Sequence, residues 1–377
     1  NEHCSTDIVV VGAGITGALV AWHLSKEGIP LIVLDKRHVG MGSTAASTSL
    51  LQYEIDTPLH ELQKSVGSEN AAKSYLLCKE SIYELGKIAR QLDLDVDFGL
   101  RSSLQYASRH SHVKKLQKEF NARKAIGIDL NFLEETDIKK LFHFKKPAGL
   151  LSKDGGQVDA YKMTHALLNQ VESWGNKVFD LTPVTGIKHL KRGVEIKVKN
   201  KFKIKARKLI IACGYESQQY IPKRIEDLDS TFAIISEPFP QQEFWYENSL
   251  IWETSTPYLY MKVTADYRIL VGGKDVPYYD PLKRDIMTPA KSRQLQNSFS
   301  KLFPRLEFKT DFQWAGTFSS TKDGLPYIGS IPERPHTLFA LGFGGNGITF
   351  SQIASIILSD HITGRTNRNS NLFSFNR

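Results

Sequence analysis

The chain has 377 residues, 41% of them apolar, which is enough for a large core, and its 24% charged residues are ordinary for a soluble enzyme. No apolar run approaches the roughly 20 residues that span a bilayer. The N-terminal NEHCSTD has neither the basic nor the apolar region of a secretory leader. Cys4, Cys78 and Cys213 lie far apart, so no disulfide framework and no metal site is expected, in keeping with a reducing cytoplasm.

The net charge of +9 comes from bases scattered along the chain, which reads as a solvated lysine-rich surface before any nucleic-acid face. No repeat, low-complexity segment or long linker divides the sequence.

The first element is the most informative. Ile8–Val11 is an apolar run that breaks into Gly12-Ala13-Gly14-Ile15-Thr16-Gly17, followed by a helix-like stretch to Lys26 and a second apolar run, Leu31–Leu34, that ends on Asp35. Strand, glycine turn, helix, strand and acid together make a dinucleotide fingerprint. Gly12 permits the tight turn, Gly14 lets backbone approach a pyrophosphate, and Gly17 lets helix pack on strand. Unpaired N–H groups at the helix start face the phosphates, and Asp35 is placed to accept from a ribose. After Lys36 comes Gly40-Met41-Gly42-Ser43-Thr44-Ala45-Ala46-Ser47-Thr48, small and hydroxylic, suited to run beside a cofactor.

Residues 71–92 have helical apolar spacing and predict a core helix, with Cys78 as packing. Leu104-Gln105-Tyr106 predicts a strand, and residues 111–125, rich in lysine, a solvated helix. Asp154-Gly155-Gly156 predicts a turn, and Asp159 caps the next helix. Val194, Ile196 and Val198 alternate with polar residues, as do Phe202, Ile204 and Ala206, giving a half-exposed hairpin. Leu209–Ala212 is a buried strand ending on Cys213-Gly214, near where ligands bind in open α/β sheets. Cys213 reads as a small buried filler, since no base or second cysteine adjoins it. From residue 230 to 314 the pattern is of antiparallel strands with many aromatics, among them Trp252, Tyr258 and Tyr260, which together can wall a pocket.

The far end repeats the opening motif. Thr337–Leu341 leads through Gly342-Phe343-Gly344-Gly345-Asn346-Gly347-Ile348-Thr349 into a helix to about residue 362. A second helix N-terminus aimed at negative charge suits a flavin, whose reduced ring is anionic.

Taken together, VVVGAGITG, the GSTAAST segment, DGGQVDAYKMTHAL, LIIACG, RILVGG, WAGTFSSTKDGLPYIG and LGFGGNGITFSQIAS resemble, in this order, the D-amino-acid oxidase/glycine oxidase superfamily of FAD-dependent oxidoreductases, which also holds sarcosine oxidase and γ-glutamylputrescine oxidase-like enzymes. The resemblance spans nearly the whole chain. It implies an α/β fold: a discontinuous Rossmann-like FAD-binding domain (1–90, 149–228, 320–377) interleaved with an α+β substrate domain on an antiparallel sheet (91–148, 229–319).

It further implies FAD contacts at Gly12, Gly14, Ile15, Thr16, Gly17, Asp35, Lys36, Ser43, Thr44, Ser47, Thr48, Val184, Cys213, Gly214, Gly344, Gly345, Asn346, Gly347, Ile348 and Thr349. The implied chemistry is hydride transfer from a C–H beside an amine nitrogen, hydrolysis of the imine, and flavin reoxidation by O2 or another acceptor. No cysteine lies in the C-terminal third for a cysteinyl link, so the FAD is expected to be non-covalent.

The pattern departs from the family at one position. Where glycine and D-amino-acid oxidases place a carboxylate-gripping arginine, this chain has Phe318. Lys274, Arg268 or Lys322 could substitute, or the substrate could be an amine without that carboxylate. By analogy with sarcosine oxidase, Tyr260 and Lys274 lie on the strands facing the flavin, with Asn346 beside them and Tyr258 in the pocket, and Leu270 takes the place of that enzyme's active-site lysine. A 2-hydroxy-acid dehydrogenase, an RNA-linked amine-modifying flavoenzyme and a non-catalytic flavin binder are the alternative readings. The substrate and the oligomeric state stay open.

Overall fold

The strand His3–Val11 is buried and apolar on both faces over Ile8–Val11: Ile8 and Val10 belong to one core with Leu19 and Ala354, and Val9 and Val11 to another with Val194 and Ile196. In the computed structural model, which describes residues 3–199, 202–240 and 243–377, it lies at the centre of a sheet. The order is Tyr327–Ser330, Thr337–Leu341, Lys203–Ile211, His3–Val11, Leu31–Leu34, Lys177–Phe179. Pairing is parallel from Thr337–Leu341 to Lys177–Phe179. Tyr327–Ser330 pairs antiparallel at one edge.

The predicted hairpin and the predicted buried strand prove to share one element. Lys203–Ile211 pairs antiparallel with Val194–Val198 through its first half, and parallel with His3–Val11 along its length. Val184–His189 extends this arm. The helix Ile15–Lys26 packs against both Gly347–Thr363 and Ala160–Ser173. Thr16 and Ser351 bond through their hydroxyls at 2.7 Å, which ties the N-terminal turns of two of these helices together.

The second sheet runs Thr310–Ser320, Asp227–Ser236, Ile269–Val276, Tyr260–Val263, Leu250–Glu253, Gly99–Tyr106, Ala148–Gln157, Leu50–Leu51, with Leu130–Glu134 also on Ala148–Gln157. It is antiparallel except where Leu250–Glu253 meets Gly99–Tyr106. Leu50–Leu51 and Ala148–Gln157 therefore belong to this sheet, although the expected division placed their ranges with the nucleotide unit.

Asp154-Gly155-Gly156 is not a turn but the end of that long strand. Glycine is needed there because a Cβ on Gly155 would come within 2.8 Å of the Arg101 carbonyl, so the tight approach of neighbouring backbone, not a reversal, explains the pair. Asp159 caps the helix Ala160–Ser173 as expected, accepting from Lys162 N at 2.9 Å.

Two helices differ from expectation. Val113–Ala125 is not merely solvated: it buries Leu116, Glu119 and Arg123. Arg123 donates to Glu119 at 2.7 Å and to Gln105 at 2.9 Å, which is how a guanidinium can be 1% exposed. A 22-residue helix, Pro281–Leu302, interrupts the predicted strand region. Asp280 caps it, and Leu295, Phe299 and Leu302 bury one face against the second sheet.

Candidate active site

Both glycine turns open onto one cavity of about 500 Å3 between the sheets. At its nucleotide end, Gly12 (φ +113°) takes a conformation that disfavours side chains. A Cβ on Gly14 would stand 3.0 Å from the Thr44 hydroxyl. That hydroxyl accepts from Ile15 N at 2.9 Å, so the GSTAAST segment caps the helix start. Asp35 accepts from Ala13 N at 2.7 Å and from Arg37 N at 2.8 Å, which fixes the acid at the strand end. Lys36 and Arg37 both pair with Glu216, at 2.8 and 2.6 Å. Val184 lies at this end with Thr182 and Pro183, and Cys213-Gly214 border it. Burial pushes the Cys213 thiol up to about 12, and its Sγ donates to the Val11 carbonyl, so this is a packed thiol and not a reactive one.

Of the expected cofactor contacts, Gly12, Gly14, Ile15, Thr16, Asp35, Lys36, Ser43, Thr44, Ser47, Thr48, Val184, Cys213, Gly214, Gly344, Gly345, Gly347 and Ile348 line this cavity. Gly17, Asn346 and Thr349 stand behind it. A Cβ on Gly17 would overlap the Gly12 carbonyl, so its part is helix–strand packing. Thr349 bonds the Asn346 carbonyl at 3.0 Å. Asn346 Nδ2 donates to the Gln52 and Glu54 carbonyls at 3.0 and 2.8 Å, which makes it a brace holding the 52–56 segment against the second glycine turn.

The other end of the cavity is the face of the second sheet. In antiparallel pairs directly opposed residues share a face. Thr231 opposes Gly316, Ala233 opposes Trp314, and Tyr260 opposes Gly272. All but Gly272 line the cavity, and the Tyr260 ring lies over Gly272 in the space a Cβ would fill. Tyr258 and Phe318 line it too, with Tyr258 and Tyr260 ring centres 5.7 Å apart. Burial raises the Tyr260 hydroxyl to about 12 and the Tyr258 hydroxyl further, so both stay protonated at neutral pH.

Asp56 accepts from Gly345 N at 2.7 Å and Tyr258 OH at 3.3 Å. The surrounding protein pushes its carboxyl above the usual range, although the residue keeps accessible surface.

Lys274 does not line the cavity; its neighbour Asp275 does. The pairing of Asp227–Ser236 with Ile269–Val276 slips between Ser230 and Phe232, and Lys274 sits at φ +60° in that irregularity. A bulge of this kind re-aims side chains, and local sequence does not announce it. Lys322 is exposed in a turn, and Arg268 is held by Asp266 and Asp311. Neither supplies a base to the first cavity.

An ammonium does stand beside Leu270. Leu270 opposes Lys262, so the two share a face, and it is Lys262 that brings an ammonium there. Lys262 is 6% exposed, donates to the Ser49 carbonyl at 3.3 Å, and burial lowers its pKa from 10.5 to about 8. It lines a second cavity, which shares Thr44, Ser47, Thr48, Ser49 and Trp314 with the first. The alternation Tyr260, Lys262 carried this signal. Among the described residues no His/Cys/Asp/Glu cluster could hold a metal, and no helix is long and apolar enough to cross a membrane.

Known proteins bear on this geometry. The chain is 24% identical over 384 residues to γ-glutamylputrescine oxidoreductase of Escherichia coli (strain K12), covering 98% of this chain and 86% of that one. Glycine oxidase of Geobacillus kaustophilus (strain HTA426) is 22% identical over 370 residues, covering 94% and 92%. A crystal structure of glycine oxidase from Geobacillus kaustophilus superposes with a TM-score of 0.85 at 19% identity, over 99% of each chain. L-proline dehydrogenase from P. horikoshii superposes with a TM-score of 0.84 at 20% identity, over 98% of this chain and 96% of that one. These likenesses show the shared fold. The family model described as DAO, FAD dependent oxidoreductase, matches residues 7–361, so the chain belongs to this family of FAD-dependent oxidoreductases.

Proposed function

We propose that this oxidoreductase oxidises the C–N bond of an amine or amino acid. The observation that carries the reading is the single cavity that joins two glycine-turn helix N-termini to an aromatic sheet face. The residues fit the cofactor: glycines where a Cβ would intrude, an acid at the ribose end of the fingerprint, and hydroxyls along 43–48. When bound, without a covalent link, FAD supplies a two-electron acceptor for the hydride of the C–H beside nitrogen.

The chain's own work is positioning and exclusion of water. Tyr258, Tyr260, Trp314 and Phe318 wall the substrate end. Asn346 and Asp56 fix the second glycine turn against the 52–56 segment. The imine product then takes up water and releases the amine nitrogen.

The names of the relatives support this substrate class, since they include a γ-glutamylputrescine oxidoreductase and a glycine oxidase. Lys262 supports O2 as the returning acceptor: a buried ammonium stabilises the negative charge that develops as oxygen is reduced. The test is spectroscopic. The purified protein should show flavin bands near about 370 and 450 nm, and an amine should bleach the latter without oxygen. A flavin-loaded protein bleached by 2-hydroxy acids and by no amine would overturn the reading.

A further inference from the structure

Resting on that reading, we propose that the substrate is a cationic amine with no carboxylate beside its reacting carbon, and that Asp275, with Asp56 nearby, receives its positive charge.

The charges that line the cavity point this way. At the nucleotide end they are mutually engaged: Lys36 and Arg37 hold Glu216, and Asp35 is bonded to backbone. The charged residue lining the sheet end is Asp275. One of its carboxylate oxygens is screened from solvent and has no hydrogen-bond partner among the described residues, and Thr231 lies beside the carboxylate. A buried carboxylate oxygen left without a partner is costly, and a ligand cation removes that cost. Neither Asp275 nor Asp56 enters an ion pair among the described residues. The Lys291 ammonium lies within electrostatic reach of Asp275 but forms no ion pair with it, donating instead to the Lys274 carbonyl at 2.7 Å and lying over the Phe232 ring.

Phe318, where the family resemblance would place a carboxylate-gripping guanidinium, lies on the same face as Thr231. An anionic group brought to this end would meet Asp275, and Asp56 lies close enough to raise the Asp275 carboxyl further. A cation meets Asp275, with Asp56 behind the Tyr258 hydroxyl, and the rings of Tyr258 and Tyr260, of a kind that attracts ammonium groups. The backbone irregularity at Lys274 is what turns Asp275 into this position.

The experiment titrates flavin-loaded protein anaerobically with 1,4-diaminobutane, glycine and N-methylglycine, following both bleaching and band shifts. Wild type should respond to the diamine at concentrations at least about tenfold below either amino acid. Asp275→Asn keeps the side chain's shape and should retain FAD. It should raise the half-saturating diamine concentration about tenfold to a hundredfold, the range for losing one charge-assisted partner. Phe318→Arg should move the preference toward glycine, and it tests the same wall if Asp275→Asn does not hold FAD.

Bleaching by glycine or N-methylglycine at lower concentrations than the diamine would overturn this proposal while upholding C–N oxidation. So would an unchanged diamine response in FAD-loaded Asp275→Asn. A diamine band shift that depends on Asp275, with no bleaching by any amine, would uphold the cation site and defeat the oxidation reading. Absence of both responses would defeat both.

Discussion

Lys262→Met should make the apoprotein more stable and the enzyme worse. Lys262 is 6% exposed, and its pKa falls from 10.5 to about 8, because burial disfavours the ammonium. A lysine whose folded pKa lies below its unfolded value carries a penalty that is fully present below the folded pKa. The penalty shrinks as pH rises from about 8 to 10.5 and is gone above that. The drop corresponds to about 3 kcal/mol at pH 7.

The substitution also removes the 3.3 Å bond to the Ser49 carbonyl, whose loss costs about 1 kcal/mol. The net expectation is a gain of about 2 kcal/mol at pH 7. Urea unfolding of the deflavinated protein at pH 7 and near pH 10 measures it, and the gain should fade at the higher pH. In the flavin-loaded enzyme, reoxidation by O2 in stopped flow should slow at least about tenfold, the lower end for loss of a preorganised charge, with anaerobic bleaching by amine little changed. A variant destabilised at pH 7, or one whose stability gain grows with pH, would refute the electrostatic reasoning. An unaltered reoxidation rate would remove Lys262 from the acceptor side.

Gly14→Val should abolish FAD retention while leaving the fold, because the first added carbon already reaches 3.0 Å from the Thr44 hydroxyl and the rest enters the cavity; flavin content per protein by absorbance checks it. Glu226 is 4% exposed, neither carboxylate oxygen has a hydrogen-bond partner among the described residues, and burial raises it from 4.5 to about 7. Its folded pKa exceeds the unfolded value, so the protein holds the extra stability below about 4.5 and loses it as pH rises to about 7, by about 3 kcal/mol in all. Glu226→Gln should flatten that part of the stability–pH curve, and an identical curve in the variant would clear Glu226 of the effect. Arg123→Met leaves Glu119 buried without its guanidinium and should cost about 3 to 5 kcal/mol. Chemical denaturation measures that loss.

What could be read from the sequence was what local chemistry forces. Both glycine turns, the acid after the second strand and the capping Asp159 follow from phosphate binding and helix termini, which act over a few residues. The second sheet is different, because its meaning lies in register. Lys262 and Leu270 are eight residues apart in sequence and directly opposed in space, so the ammonium beside Leu270 shows only once the strands are paired. Asp275 follows Lys274 by one residue, and only the slipped pairing opposite Thr231 decides which of them faces the cavity. Arg123 looked like one more base on a solvated helix, and its burial depends on Glu119 and Gln105, one of them on another element. Pro281–Leu302 is not legible in the sequence because few of its residues are apolar and Pro289 sits inside it, so packing and its Asp280 cap hold it where propensity would not.

The sheet face that bounds the cavity carries its two unusual charges on either side of one tyrosine. Lys262 lies two residues along the strand from Tyr260, and Asp275 lies three residues beyond Gly272, which Tyr260 opposes. At roughly 3.3 Å per residue, the two side chains leave the sheet on the order of 15 Å apart. Lys262 is hidden from bulk water, Asp275 is half-buried with one carboxylate oxygen screened, and both pKa values move against their charge. A single buried charge of either kind would be a defect unless it served binding or chemistry. Lys262 opens on the second cavity and Asp275 on the first, so on the proposed reading the arrangement would separate a cationic acceptor side from an anionic substrate side. The two variants should accordingly divide one turnover: Asp275→Asn acting on amine affinity and not on reoxidation, Lys262→Met on reoxidation and not on amine affinity. If either variant altered both half-reactions alike while retaining FAD, the separation would be refuted.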